Sequence, residues 1–190
     1  MTLSICVIMA FAMLPVASAQ TPSHSSAQGG PPVDAAPAHV VNSFHFQVKS
    51  SFSEAAVLFG PEAERRWAGP HWNPAFLHPQ PGVNSNFDTQ GAVFTVQHGT
   101  QKSIWVNTLF DLAEGRMQYV AFIPDHMVST VDVRLNAIDP HTTGVDVTYI
   151  RTALTPEANA DVEAQGHKDR DSGPEWQQAI EDWQSHRKTP

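Results

Sequence analysis

The sequence predicts an α+β domain in which a curved antiparallel sheet of about six strands wraps around a C-terminal helix. Strand-like runs alternate apolar and polar residues with a period of two, and short connections between them make neighbouring strands antiparallel. The last apolar stretch has the spacing of one face of an amphipathic helix. Five Trp and ten Phe supply large apolar side chains for the core of such a domain.

The N-terminus, residues 1–19, is predicted to be a signal peptide. Its apolar stretch begins at Ile5, contains Pro15 and closes on an Ala-Ser-Ala cleavage signal. A membrane span needs about 20 residues, so this stretch is too short to remain as an anchor. We therefore expect an exported protein, periplasmic or secreted, without stable membrane insertion once the signal is removed.

Cysteine content and charge restrict the function classes. Cys6 is the only cysteine and would leave with the signal, so the mature chain would have no thiol for disulfides, zinc–thiolate sites or nucleophilic catalysis. The formal net charge is −8, and no basic stripe is present that would displace counterions from phosphates. Nucleic acid is therefore not an expected partner.

The folded domain is expected to span residues 40–190, after a disordered leader over residues 20–39 that is rich in Pro, Ser, Gly and Ala. Alternation of apolar and polar residues predicts its first strand at residues 44–48. Two short helices are predicted within residues 52–67, because the period changes there. Four prolines in residues 69–86 predict an irregular loop.

Five more strands are predicted after this loop. Turn residues separate them, including Gly99, Gly115 and Asp125, and the connections are short enough for antiparallel hairpins. The predicted strands cover residues 91–98, 103–112, 116–123, 127–138 and 144–154.

The last predicted element is the amphipathic helix. Residues 172–175 have the spacing of a capping box, and Trp176, Ile180 and Trp183 then fall on one face. The polar segment 157–171 is predicted to be helical only in part. A sheet of this size cannot leave an apolar face in water, so the terminal helix should cover it and leave space beneath.

This order of elements resembles the START-like helix-grip superfamily, also called SRPBCC, which includes birch-pollen allergen-like proteins, lipid-transfer domains and polyketide cyclases. The nearest likeness is to its polyketide cyclase/dehydrase and lipid-transport branch, over residues 42–188. The terminal helix departs from the pattern, because it is interrupted at 171–174 where many relatives run one long helix. The stretches that carry the resemblance are residues 64–68, 72–74, 76–79, 91–95, 103–105 and 147–155.

The resemblance implies a hydrophobic cavity between sheet and helix, and it implies no single reaction, because one fold hosts many functions. Large aromatic residues can line such a cavity or simply fill the core. Tyr149 and Arg151 share one strand face, where Arg151 is either a buried cation or a solvated edge charge; we favour the solvated position. The predicted lining residues are Trp67, Trp72, Phe94, Trp105, Tyr119, Tyr149, Arg151, Trp176 and Ile180.

No catalytic residue, metal site or cofactor is predicted. His71, His78 and His98 lack the i, i+4 spacing of a zinc-binding helix. The sequence has no nucleophile elbow and no glycine-rich phosphate loop. One alternative is a general acid/base pair, His98 with Glu64 or with Asp111.

Three functions therefore stay open. The favoured one is an exported domain that binds a small hydrophobic molecule, a lipid or an aromatic compound, in an internal cavity. The second is a cyclase or isomerase that acts on a polyketide-like substrate. The third is a structural or interaction domain whose core is filled.

Overall fold

Seven antiparallel strands form one sheet over the part of the chain that the computed structural model describes, residues 36–83 and 86–187. The predicted signal peptide and most of the predicted leader lie outside these residues. In chain order the strands are β1 (His39–Val48), β2 (Ala75–His78), β3 (Val93–His98), β4 (Gln101–Asp111), β5 (Arg116–Ile123), β6 (Met127–Asp139) and β7 (Thr142–Ala153). Their order across the sheet is β1-β7-β6-β5-β4-β3-β2, which confirms the predicted α+β class and antiparallel sheet.

The strand that the sequence analysis missed is β2. It lies inside the Pro-rich segment predicted as an irregular loop, and it pairs with β3 at the edge of the sheet. An edge strand needs ladder hydrogen bonds on one side only, so Pro74 and Pro79 can flank it without breaking a ladder. Four mostly exposed residues carry too little alternation to predict a strand.

The core lies on the concave face of the sheet. Along β1, Phe44, Phe46 and Val48 are buried while the residues between them are exposed. Val145 and Val147 on the neighbouring β7 are fully buried in the same cluster. Successive side chains of a strand point to opposite faces, so the apolar residues of the long strands all meet on one side.

Two short helical segments follow β1, as predicted. The first is α1 (Phe52–Ala56), where the backbone N–H of Ser51 donates to the Glu54 carboxylate at 3.1 Å. The second is a 3-10 turn, Ala63–Arg66. Its start is held by the Asp88 carboxylate, which accepts the backbone N–H of Glu62 at 2.7 Å. This turn faces the concave side of the sheet and positions Glu64 there.

Two helices complete the chain, α2 (Asn159–Asp171) and α3 (Gly173–Arg187), with the predicted interruption at Ser172. The segment predicted as partly helical is therefore helical over most of its length. Both helices pack against β1, and α2 also packs against β7. The buried face of α2 consists largely of small and polar residues, Gln165, Gly166 and Asp169 among them, so it has no apolar periodicity to predict a helix.

The start of α3 passes close to the backbone of β1. A Cβ atom at Gly173 would lie 2.9 Å from the carbonyl oxygen of His45, so only glycine fits this crossing without a shift. Further along α3, Ile180 is fully buried in the core cluster. None of the helices in the described ranges is both long enough and apolar enough to cross a membrane.

Candidate functional site

A cavity opens between the concave face of the sheet, the 3-10 turn and the junction of α2 and α3. Its volume is about 80 Å³. Exposed residues His71, Lys168 and Glu175 stand at its mouth, while buried rings form its walls. A small molecule therefore has a route from solvent to an interior surface.

Seven of the nine residues that the sequence analysis selected line this cavity. Phe94 and Ile180 do not reach it, because both are fully buried in the core behind the walls. Phe94 pairs in register with Trp105 and stacks on its ring with the centroids 6.0 Å apart. That the lining residues bind a ligand stays a prediction. The seven are Trp67, Trp72, Trp105, Tyr119, Tyr149, Arg151 and Trp176.

Four indole rings line the cavity, those of Trp67, Trp72, Trp105 and Trp176. The ring centroids of Trp67 and Trp176 are 5.3 Å apart, and those of Trp72 and Trp105 are also 5.3 Å apart. The indole N–H groups of Trp67, Trp72 and Trp105 donate to oxygen atoms of the protein at 2.8–2.9 Å. These hydrogen bonds fix the ring orientations and leave apolar surface toward the cavity.

Arg151 is buried, so the favoured prediction of a solvated edge charge is wrong. Its Nε and Nη2 atoms each donate to one carboxylate oxygen of Asp169 on α2 at 2.7 Å, and Nη1 donates to Ser129 at 3.0 Å. The guanidinium also lies 4.5 Å from the ring centroid of Tyr149. A bidentate carboxylate satisfies Arg151 within the protein, so its charge is not left open for a ligand anion.

Asp169 also lines the cavity and was missed by the sequence analysis. The sequence signal for burial of Asp169 is its helical spacing. The four buried residues of α2 fall at i, i+3, i+4 and i+7, namely Val162, Gln165, Gly166 and Asp169. Such a face becomes visible only when polar and small residues are allowed on the buried side of a helix. Arg151 supplies the partner that allows this carboxylate to be buried.

Glu64 is the most unusual polar group of the cavity. Its side chain lines the space, only 7% of the residue is exposed, and no hydrogen-bond donor of the described chain reaches its carboxyl group. Burial raises the pKa of Glu64 well above its ordinary value, and the negative charge of Asp88 raises it further. A carboxyl group in such surroundings keeps its proton, because ionisation would place an unpaired charge in a medium of low dielectric constant.

Two tyrosines face the same space from neighbouring regions of the sheet. The hydroxyl group of Tyr119 donates to the backbone carbonyl of Phe59, whereas that of Tyr149 has no hydrogen-bond partner within the described residues. Burial raises the pKa of both phenols, so both remain neutral donors. Tyr149 therefore offers a hydroxyl group that a ligand can satisfy.

The histidines divide between the cavity and the surface. His71 and His98 line the cavity, whereas His78 lies on β2 outside it. Burial lowers the pKa of His98, and the nearby positive charge of His71 lowers it further. Over the residues described, no three His, Cys, Asp or Glu side chains come together as metal ligands.

The positions of Glu64 and Asp111 distinguish the two predicted acid/base pairings of His98. Glu64 and His98 line one cavity, which keeps that pair open. Asp111 belongs to the β4–β5 turn instead, where its carboxylate accepts the backbone N–H of Ala113 at 3.0 Å, so the pairing with Asp111 is wrong.

Neither a protein-family model nor a curated protein sequence matches this chain. Solved structures do match. Norcoclaurine synthase from Thalictrum flavum aligns with a TM-score of 0.57 at 9% identity, over 90% of this chain and 99% of that one. The Zhui aromatase/cyclase from Streptomyces sp. R1128 aligns with a TM-score of 0.53 at 15% identity, over 80% and 97%. An uncharacterized protein from Rhizobium leguminosarum gives 0.53 at 15% identity, over 76% and 96%.

These identities are too low to carry an activity from one protein to another, and what the alignments share is the arrangement of elements. The chain therefore has the helix-grip fold that its sequence resembles.

Proposed function

We propose that this protein is an exported binding domain that holds a small, flat aromatic molecule in the cavity beneath α2 and α3. One observation carries the proposal: four indole rings line the cavity, and the N–H groups of three of them, Trp67, Trp72 and Trp105, are already satisfied by the protein. Such walls offer apolar ring faces, which recognise a planar ligand by stacking and by edge contacts. Export rests on the apolar N-terminal stretch and its cleavage signal.

The size of the cavity supports an aromatic ligand over a lipid. A volume of about 80 Å³ is small, and the walls are flat rings instead of a long aliphatic channel. An engineered apolar cavity of about 150 Å³ holds benzene, so this smaller space would enclose part of a ring and the rest of a flat ligand would lie in the open mouth. Norcoclaurine synthase, a structural neighbour, has been solved in complex with dopamine and hydroxybenzaldehyde, two single-ring molecules.

Calorimetric titration of the purified mature protein tests the proposal, with 2-naphthol as the aromatic probe and dodecanoate as the lipid probe. We expect 2-naphthol to bind one to one and dodecanoate not to bind. Trp72→Leu should weaken 2-naphthol binding by about two- to tenfold, the worth of one aromatic contact. Trp183→Leu is the matched control, because Trp183 is equally half-buried but packs beside Arg187 outside the cavity.

Circular dichroism establishes that both variants are folded before they are compared. Equal losses of affinity in the two variants would overturn the proposal, since the cavity would then not be the binding site. Absence of binding heat for 2-naphthol, or tighter binding of dodecanoate, would overturn it as well.

A second candidate function follows from Glu64 and His98, which face one cavity as a protonated acid and a neutral base. That pair suits a cyclase or isomerase on a polyketide-like substrate. Mass spectrometry of a linear aromatic polyketone incubated with the protein would show a product that has lost water. His98→Ala should abolish that product and leave binding of 2-naphthol intact, whereas an unchanged polyketone excludes this candidate for that substrate.

A further inference from the structure

Three buried side chains reach the cavity without a hydrogen-bond partner from the described part of the chain: the carboxyl group of Glu64, the hydroxyl group of Tyr149 and the amide group of Gln165. Two other polar side chains of the walls are already engaged, Arg151 with Asp169 and Tyr119 with the Phe59 carbonyl. The carboxyl group of Glu64 and the hydroxyl group of Tyr149 border the cavity, so a ligand placed there can take up hydrogen bonds that the protein leaves unused.

The protonation state decides what these two groups can offer. Burial and the charge of Asp88 hold the pKa of Glu64 well above its ordinary value, so the group is a neutral acid with an O–H donor. Burial also raises the pKa of Tyr149, which remains a second O–H donor. Two neutral donors in one apolar cavity match a ligand oxygen that carries lone pairs and no proton.

We propose that Glu64, as a carboxylic acid, and Tyr149 donate hydrogen bonds to a carbonyl oxygen of the ligand, so that the site selects flat aromatic ketones, aldehydes or quinones. This inference rests on the proposed binding function and adds the chemical class of the ligand. The ring walls hold the planar part, and the two donors fix where its oxygen lies.

Ligand cations are the main competitor for these walls, because indole faces attract positive charge. A bound cation would need Glu64 ionised, and burial, the surrounding rings and Asp88 all oppose that charge. Arg151 and Asp169 pair with each other at the same cavity, so their charges balance and supply no free anion for a cation. Asp88 acts on Glu64 through its charge from the start of the 3-10 turn, outside the lining of the cavity. The ionisable groups that line this space besides Glu64 are Tyr119, Tyr149, Arg151, Asp169, Lys168, Glu175, His71 and His98.

Three probes of matched shape separate these ligand classes: acetophenone with a carbonyl group, cumene with no polar atom, and 1-phenylethylamine with an ammonium group. Calorimetric titration of the wild-type protein should show acetophenone binding at least about fivefold tighter than either of the others, which corresponds to one buried hydrogen bond. The affinity for acetophenone should fall as the pH rises through the elevated pKa of Glu64, because the donor proton is then lost.

Substitutions at Glu64 give the sharper test. Glu64→Gln keeps a neutral N–H donor, so it should retain the preference for acetophenone over cumene and remove its pH dependence. Glu64→Leu should remove most of that preference, and Tyr149→Phe should reduce it. Glu163→Gln, an exposed change of the same charge on α2, is the control that should behave as wild type.

Results that overturn the carbonyl inference are distinguishable from results that overturn the binding function. Tightest binding of 1-phenylethylamine, with loss of that binding in Glu64→Gln, would overturn the inference in favour of a cation site and leave the binding function standing. Equal binding of acetophenone and cumene in the wild type and in Tyr149→Phe would also overturn it. This second result does not depend on whether Glu64→Leu folds. Failure of all three probes and of 2-naphthol would remove the binding function itself.

Discussion

At the scale of single residues, the cavity is defined by what its polar groups already contact. Within the described residues, Arg151 and Tyr119 have hydrogen-bond partners, while the carboxyl group of Glu64 and the hydroxyl group of Tyr149 have none. Burial raises the pKa of Glu64, and a pKa that differs between the folded and unfolded states makes the stability depend on pH. Stability measurements can therefore detect Glu64 without knowledge of any ligand.

Glu64→Gln should make the protein less sensitive to pH. The pKa of Glu64 is raised in the folded state, so above its ordinary value of 4.5 the folded state binds more protons than the unfolded state. The free energy of unfolding then falls as the pH rises, until Glu64 ionises in the folded protein as well. Urea unfolding at a series of pH values should show this decline in the wild type and in Glu163→Gln, and a flatter profile in Glu64→Gln. Parallel profiles for all three proteins would contradict the assignment of a buried, protonated Glu64.

At the scale of elements, the main question is what holds the two C-terminal helices on the sheet. The helix α2 has little apolar surface, and its strongest described tie is the buried bridge from Asp169 to Arg151 on β7. The helix α3 contributes Ile180 and the Trp176 ring to the core and crosses β1 at Gly173. Both helices are held by packing, α2 through the fully buried Val162 as well, and α2 adds the buried ion pair to it.

Asp169→Ala should destabilise the protein by about 3–5 kcal/mol, because it leaves Arg151 buried and uncompensated. Urea unfolding followed by far-ultraviolet circular dichroism measures the change. The double variant Arg151→Met with Asp169→Leu should recover most of the loss, since an apolar pair of similar volume replaces the ion pair. Asp171→Ala, an exposed change on the same helix, serves as the control. A loss below about 1 kcal/mol in Asp169→Ala would mean that the bridge does not hold α2.

Gly173→Ala should also destabilise the protein, by about 1–3 kcal/mol, because the new methyl group meets a backbone carbonyl that cannot rotate away. Thermal unfolding measures the effect. Gln178→Ala, an exposed position on α3, should change the stability by no more than about 0.5 kcal/mol. If Gly173→Ala proves neutral, the approach of α3 to β1 is looser than the distance implies.

At the scale of the whole molecule, binding and folding are linked. A ligand that occupies the cavity binds only the folded protein, so acetophenone at about 100 times its Kd should raise the free energy of unfolding by about 2.7 kcal/mol. Differential scanning calorimetry with and without the probe measures this shift. The shift should shrink in Trp72→Leu and persist in Trp183→Leu. A shift of equal size in both variants would place the probe elsewhere.

Alternation predicted six of the seven strands, because each of them has one face on the core and the other toward solvent. The short edge strand β2 has no such face, and it could not be predicted. The orientation of Arg151 also could not, because it depends on Asp169 in a helix with no apolar signal. Residue type identified seven residues that line the cavity. Phe94 and Ile180 are also large and apolar but lie in the core behind the cavity, so residue type alone does not distinguish lining residues from core residues.

The short strand between Pro74 and Pro79 has a consequence for how the protein meets other copies of itself. Sheets that end in a long open ladder invite a strand from a second molecule, and such pairing starts fibres. The edge strand β2 has only four residues, and a proline, which has no backbone N–H group, lies on either side of it. A strand from a second molecule would find too few hydrogen-bond donors and acceptors along β2 to pair with it, so this edge does not favour fibre growth.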